Sequence, residues 1–284
     1  MERLREAAAW IAATEALVPP RDLRAQLFER ARPVPSELRA YRQAVSRHER
    51  LVDSIGDSDL DVATTNGLSV GDLVVHLAAM ESAVAETVGH PQLVTGECDV
   101  DVRTDEYLRE FHADPLGAGR EAWRAAAVSL ESWAEAGGDR ATLPWNGFVV
   151  SRRTVLATRA FELWTHDDDI RVALGREQEV PSGPEIALMS DVAVGILPFC
   201  LAAAGETPVG TARVVLTGPG GGSWDVSLDG QEHPDLEVTI TLDVVDYCRR
   251  VADRISVAEC AARIEGNVEL GIRMLECAPA LATL

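Results

Sequence analysis

The sequence predicts an α+β protein in which a helix bundle is followed by a smaller domain that mixes helices and strands. Apolar residues recur at helical spacing in about four long segments between residues 36 and 175. After the interruption Pro181-Ser-Gly-Pro184, apolar and polar residues alternate, which is typical of strands. With 284 residues and 46% hydrophobic content, the chain is long enough to bury the cores of two domains.

Three parts are therefore expected along the chain. Residues 1–34 form an N-terminal helical extension, rich in Ala and Leu and broken at Pro19-Pro20. Residues 35–180 form the helix bundle, and residues 185–284 form the C-terminal α+β domain.

The bundle helices are justified by apolar spacing and by their end signals. Ser36 and Ser69 are candidate N-caps, and Gly89-His-Pro91 and Gly175 mark helix ends. Residues 142–147 are expected to form a loop. The predicted helices cover approximately residues 36–55, 69–88, 103–112, 117–136 and 150–174.

The C-terminal domain is predicted to hold an antiparallel sheet. A helix over about 185–204 precedes three strands, and two further helices close the chain. Gly218-Pro-Gly-Gly-Gly222 lacks the lysine and serine of a phosphate-binding loop and is expected to be a hairpin turn. The strands cover residues 212–216, 223–228 and 236–241, and the final helices cover about 243–252 and 268–277.

Composition excludes several classes of function. A net charge of -20 argues against partners such as nucleic acid or an anionic membrane. A transmembrane run and a secretory signal are not expected, so we expect a cytoplasmic protein. The five cysteines contain no C-x-x-C pair, which argues against a disulfide framework or a cysteine-based zinc site. Every basic residue is arginine, as expected for a GC-rich bacterial host.

The candidate chemistry lies in Glu162-Leu-Trp-Thr-His166. Residues four apart share a helix face, so Glu162 and His166 can point at one spot, and His76 lies on another predicted helix. Two imidazoles and a carboxylate suit a divalent cation. The alternatives are that His76 is a packed core residue and that Glu162 pairs with Arg159 at the bundle rim. Spacing alone leaves both interpretations open.

For the aspartates near His166 and His76, a role in the site is weighed against a structural role. Asp169 lies three residues past His166 and is either an acceptor that orients an imidazole or a structural residue near the helix end; we favour the structural role. Asp167 and Asp168 are expected to be solvated, with no role in the site. Asp72 precedes His76 by four residues, but its place in the first helical turn explains it more simply.

Two stretches together resemble a known family. Leu68-Ser-Val-Gly-Asp-Leu-Val-Val-His76 and Glu162-x-Trp-x-His166-x-x-Asp169-Ile-x-x-Ala-Leu-Gly175 are similar to the mycothiol-dependent maleylpyruvate isomerase family, within the DinB-like helix bundles. The resemblance implies zinc or another divalent metal on His76, Glu162 and His166. It also implies mycothiol as cofactor and a C-terminal domain like the sterol carrier proteins. A metal-bound thiol is held as thiolate and can attack an electrophile.

The resemblance also implies an arginine that reaches the site from the C-terminal domain. Arg254 is our choice as catalytic and cofactor-binding residue, with Arg250 as its rival; Asp253 stands where the family has glycine. Trp145, with Asn146 and Gly147, is expected to line the pocket mouth and to contact the cofactor. An exposed salt bridge and a buried tryptophan are the alternative explanations of Arg254 and Trp145.

The expected function is that of an enzyme, a zinc-dependent and mycothiol-dependent transferase or isomerase acting on a small electrophile. The alternative is a non-enzymatic, metal-binding regulator, because Ala-Ala-Ala-Trp-Ile-Ala and Val-Pro-Pro-Arg-Asp-Leu-Arg resemble a helix of anti-sigma factors. In that case the N-terminal helices would engage a protein partner.

Overall fold

The structure is a computed structural model of the chain, and it describes residues 34–65, 67–92, 100–137, 141–145 and 148–279. Residues 36–284 form one compact unit, which is separate from residues 1–35. The predicted N-terminal helices, and any protein partner that they bind, therefore lie outside the described residues. The division between residues 180 and 185 stays a prediction.

The helix bundle follows the predicted pattern closely. The apolar positions Leu38, Tyr41, Leu51 and Val52 of the first helix are all buried. Ser69 caps the second helix by accepting a hydrogen bond from a backbone N–H in its first turn. The bundle helices are α1 (Ser36–Asp53), α2 (Val70–Glu86), α3 (Val100–Phe111), α4 (Arg120–Ala136) and α5 (Arg152–Ala173).

A short hairpin replaces the loop expected before α5. Strands β1 (Thr142–Trp145) and β2 (Phe148–Ser151) pair antiparallel, so the loop prediction for residues 142–147 was wrong. The missed signal was the Asn-Gly dipeptide between the strands, which is the strongest short-range hairpin signal in a sequence.

The helix predicted for residues 185–204 is broken in two. Helices α6 (Gly183–Gly195) and α7 (Leu197–Ala203) meet at a bend of 44°. Pro198 lies in the first turn of α7, where its missing N–H costs no helical hydrogen bond, but it cannot sit inside a continuous helix. In the described part of the chain no single helix has the length and apolarity to cross a membrane, while the bent α6–α7 pair meets that test.

The C-terminal sheet is mixed, and the antiparallel prediction was wrong. Its strand order is β4-β3-β5-β6, with an antiparallel pair at each edge and a parallel pair between β3 and β5. Because the chain crosses from the edge strand β4 to the far side of β3, β5 must run parallel to β3. The strands are β3 (Thr211–Thr217), β4 (Gly222–Ser227), β5 (Leu236–Asp243) and β6 (Arg263–Gly266).

Strand β6 was not predicted, because its four residues are too short to show an alternating pattern. Helix α8 (Val244–Val251) follows β5, and α9 (Val268–Cys277) follows β6, close to the predicted bounds.

Helix α5 lies where the two halves of the fold meet. Leu156 and Leu163 belong to the bundle core, whereas Phe161 and Trp164 pack with the sheet and α6. As a result, eight consecutive residues from Leu163 to Ile170 are buried on all faces of the helix. The predicted site residue His166 sits in this enclosed stretch, and the partly exposed Glu162 lies directly before it.

Candidate metal centre

The structure brings His76 of α2 together with Glu162 and His166 of α5. The Oε1 atom of Glu162 lies 3.5 Å from His76 Nε2 and 3.3 Å from His166 Nε2. Among the described residues these three offer ligand atoms that all lie within 4.8 Å of one another. Two imidazole nitrogens and a carboxylate oxygen at this spacing fit a divalent cation such as zinc.

Each imidazole is held from behind by a second side chain. His76 Nδ1 lies 2.9 Å from the hydroxyl of Thr104 on α3, and His166 Nδ1 lies 3.0 Å from Asp169. When each Nδ1 donates its proton to this second side chain, each Nε2 keeps a lone pair that can bind a cation. Thr104 was missed, because nothing in the sequence connects α3 to His76. For Asp169 the structure favours the orienting role, not the structural one that we preferred.

Arg254 reaches the bundle by binding Asp169. Its Nε and Nη2 atoms both donate to this carboxylate at 2.7 Å, so the arginine is one residue removed from His166. The backbone of Asp253 has φ of 56°, the left-handed conformation that glycine adopts easily and that aspartate tolerates. Asp253 therefore fits the turn where the family has glycine. The rival Arg250 binds Asp253 and the Ile255 carbonyl within its own turn.

The carboxylates around the site create a strong preference for positive charge. Burial alone would raise the pKa of Glu162, but hydrogen bonds from His166 and His76 hold it well below its usual range. Burial alone would lower the pKa of His166, yet its hydrogen bonds to Asp169 and Glu162 raise that pKa to about 9. The site thus attracts either a proton or a cation to the same place.

Asp167 and Asp168 contradict the expectation that they are solvated. Asp167 is 1% exposed and accepts from His48 at 2.6 Å, and Asp168 is 6% exposed and accepts from Gln178 at 3.1 Å. The reason is the position of α5 between the bundle and the sheet, which leaves no face of the helix in water at this level. Periodicity on one helix cannot reveal such two-sided burial.

Glu162 does not form the rim pair with Arg159 that was one alternative. Its described ion pairs are with the two histidines, whereas Arg159 Nε donates to the buried Glu81 at 3.4 Å. Glu81 also accepts a hydrogen bond from the hydroxyl of Tyr41. This buried row of Tyr41, Glu81 and Arg159 was missed, since a carboxylate on an apolar helix gives no sign of its partner.

The remaining candidates are Trp145 with its two neighbours, and Asp72. Trp145, at the end of β1, packs against the bundle core, so its contact with a cofactor stays a prediction, and Asn146 and Gly147 lie outside the described residues. The carboxylate of Asp72 lies 2.7 Å from Nδ1 of His112. The hydrogen-bond partner of His76 Nδ1 is Thr104.

Known proteins resemble this chain in sequence and in fold. Residues 41–171 match the family model described as mycothiol maleylpyruvate isomerase N-terminal domain. Two crystal structures of the mycothiol-dependent maleylpyruvate isomerase, one of a histidine-to-alanine mutant, each superpose with a TM-score of 0.55. They are 16% and 14% identical in sequence and cover 80% and 81% of this chain and 92% of their own. No curated protein sequence matches.

At these identities the two structures establish a shared fold. The predicted α+β fold class and the family resemblance are confirmed, and the family and structures are those of an enzyme, as predicted.

Proposed function

With residues 41–171 in the mycothiol maleylpyruvate isomerase N-terminal domain family, we propose that the chain is a metal-dependent enzyme that uses mycothiol. Its reaction is the isomerisation of a small electrophilic substrate or the transfer of the thiol to one. Zinc is the preferred metal, because imidazole nitrogen and carboxylate oxygen suit it. A maleylpyruvate-like compound is the first substrate to test, given what the related structures are named for.

The observation that carries the proposal is the meeting of His76, Glu162 and His166 around one point. Their side chains are 13%, 28% and 10% exposed, so the point is enclosed yet open on the side of Glu162. A divalent cation held by three protein ligands leaves a position for a thiol, and it supplies a positive charge that stabilises the thiolate.

The protein's own residues prepare this position. Thr104 and Asp169 fix the two imidazole rings with Nε2 directed inward, and the ring centroids stand 5.2 Å apart and nearly perpendicular, at 83°. Arg254 neutralises Asp169 and links it to the turn after α8. Through this contact the C-terminal half of the fold sets the orientation of a bundle ligand.

We therefore expect the protein to bind a small-molecule thiol and a small electrophilic substrate, and to do so in the cytoplasm. Arg254 and Trp145 are proposed to contact them, and Arg254 would do so after exchanging Asp169 for an anionic group. The regulator hypothesis requires a metal site without turnover, so activity separates the two.

The test is metal analysis and thiol-dependent turnover of His76→Ala beside the unaltered protein. We expect about one metal ion per chain and mycothiol-dependent consumption of maleylpyruvate in the unaltered protein, and loss of both in the variant. His112→Ala, which alters a histidine whose side chain is 69% exposed, should keep both. Metal without turnover of any small electrophile would favour the regulator, and absence of metal would refute the proposal.

A further inference from the structure

The third ligand of the candidate metal centre has a charged neighbour that neither histidine shares. Arg159 precedes Glu162 by three residues on α5, so both side chains leave the same face of the helix, one turn apart. His76 is backed by Thr104 and His166 by Asp169. A second side chain that held Glu162 by a hydrogen bond would complete the support of the three ligands.

Arg159 is held rigidly from the side away from Glu162. Its Nε donates to Glu81 of α2, which is fully buried and is fixed in turn by the hydroxyl of Tyr41 of α1. The arginine side chain is itself only 9% exposed. Three helices therefore determine where the guanidinium stands.

One terminal nitrogen of this guanidinium lacks a hydrogen-bond acceptor among the described residues. Arg159 Nη2 is buried and has no hydrogen-bond partner among the described residues. A buried N–H of a charged group without an acceptor is costly, so such an atom needs a specific reason to be retained. The nearby charges that act on Arg159 include Glu162 as well as Glu81. Glu162 is thus the carboxylate that Nη2 can serve.

We propose that Arg159 is the positioning residue of Glu162: when a cation holds the carboxylate oxygen that faces the histidines, Arg159 Nη2, which has no acceptor among the described residues here, turns to donate to the other oxygen of Glu162. This inference rests on the proposed function, since it concerns Glu162 as a metal ligand. One oxygen is then left to the cation and the other is fixed by the arginine, which prevents the carboxylate from rotating away. The planar fork of arginine serves Glu81 and Glu162 at once, and the single ammonium of lysine cannot.

The direct test is the affinity of the full-length protein for Zn²⁺, measured by competition with a chromogenic chelator. Arg159→Lys keeps the positive charge beside Glu81 and loses the second donor. We expect Zn²⁺ affinity to fall roughly 10- to 100-fold, as is typical when the outer partner of a ligand is lost. Unaltered protein that binds no Zn²⁺ would overturn the proposed function and this inference together. Normal binding in both proteins overturns the inference alone.

Arg152→Lys is the matched control. Arg152 lies seven residues earlier on the same helix, is 7% exposed at its side chain, and pairs with Glu37 of α1 at 2.8 Å. It lies two turns from Arg159 along the helix, so its loss weakens a comparable buried ion pair without touching the metal ligands. Unchanged Zn²⁺ affinity is expected here. An equal loss in both variants would mean that any buried arginine of α5 matters, and would overturn the assignment to Arg159.

A second variant covers the case in which Arg159→Lys fails to fold. Tyr41→Phe, Glu81→Met and Arg159→Met together replace the whole buried row by apolar side chains of similar size, and such replacements are often neutral or stabilising. Folding is checked by circular dichroism and thermal unfolding. The same roughly 10- to 100-fold loss of Zn²⁺ affinity in this folded variant supports the inference. Unaltered affinity shows that the row is only structural.

Discussion

Two polar clusters on α5 both combine histidine with carboxylates, but they are arranged differently. The candidate metal centre consists of His76, Glu162 and His166. The buried ion cluster consists of Arg47, His48, Asp167 and Glu185. Helix α5 contributes to both, through the adjacent residues His166 and Asp167. Each cluster brings histidine within 2.6 to 3.5 Å of a carboxylate, so a histidine–carboxylate contact by itself does not separate them.

The difference lies in how charge and direction are arranged. In the buried ion cluster each charged group already faces its opposite: Arg47 binds Glu185 at 2.6 Å, and His48 binds Asp167 at 2.6 Å, with side chains 1% to 4% exposed. In the metal centre the two Nε2 atoms and a carboxylate oxygen face one another, and Glu162 remains 28% exposed. A metal site therefore needs converging acceptors and an opening, whereas the buried ion cluster sets opposite charges beside one another away from water.

The largest expected effect comes from removing a ligand. Glu162→Gln keeps the size of the side chain and removes its charge, so affinity for Zn²⁺ should fall by more than about 100-fold, beyond the usual cost of losing an outer partner. Glu185→Gln alters a carboxylate of the buried ion cluster and should bind Zn²⁺ normally. Chelator competition measures both. Equal affinities in the two variants would erase the distinction between the clusters.

A loss of stability is expected from the buried ion cluster instead. Arg47→Met leaves Asp167 and Glu185 buried without their cation, and should lower the free energy of unfolding by about 3–5 kcal/mol. Urea unfolding measures this change. The control is Arg42, which lies on the same helix as Arg47 and forms a more exposed ion pair with Glu131 of α4. Arg42→Met should lower the free energy of unfolding by less than about 1 kcal/mol. Similar costs for the two variants would contradict the assignment of Arg47 to a structural cluster.

The smallest effect concerns pH in metal-free protein. The pKa of His166 is raised from 6.5 to about 9, so its protonated form stabilises the fold fully below pH 6.5. That contribution is lost as pH rises to about 9, and is on the order of 3 kcal/mol at most. Urea unfolding at several pH values should show the decline, and His166→Gln should remove it. A free energy of unfolding that rises over this range would refute the assignment.

Much of the fold was predictable because its signals are local. The caps at Ser69 and the apolar positions of α1 and α2 follow from a single helix each. The hairpin at Asn-Gly was equally local and was overlooked. The parallel pairing of β3 with β5 was not predictable in this way, because it depends on which edge the chain chooses after β4.

The sequence by itself predicted the candidate cation ligands: the spacing of Glu162 and His166 puts them on one helix face, and His76 lies on another predicted helix. Only the tertiary structure decided how these groups are supported. Thr104 reaches His76 from another helix, and Arg254 binds Asp169 and not a ligand directly; helical spacing fixes neither contact. Asp167, next to His166, turns to the other side of α5 and closes on His48. Side-chain partners across helices depend on packing on every face at once, and a linear pattern records only one face at a time.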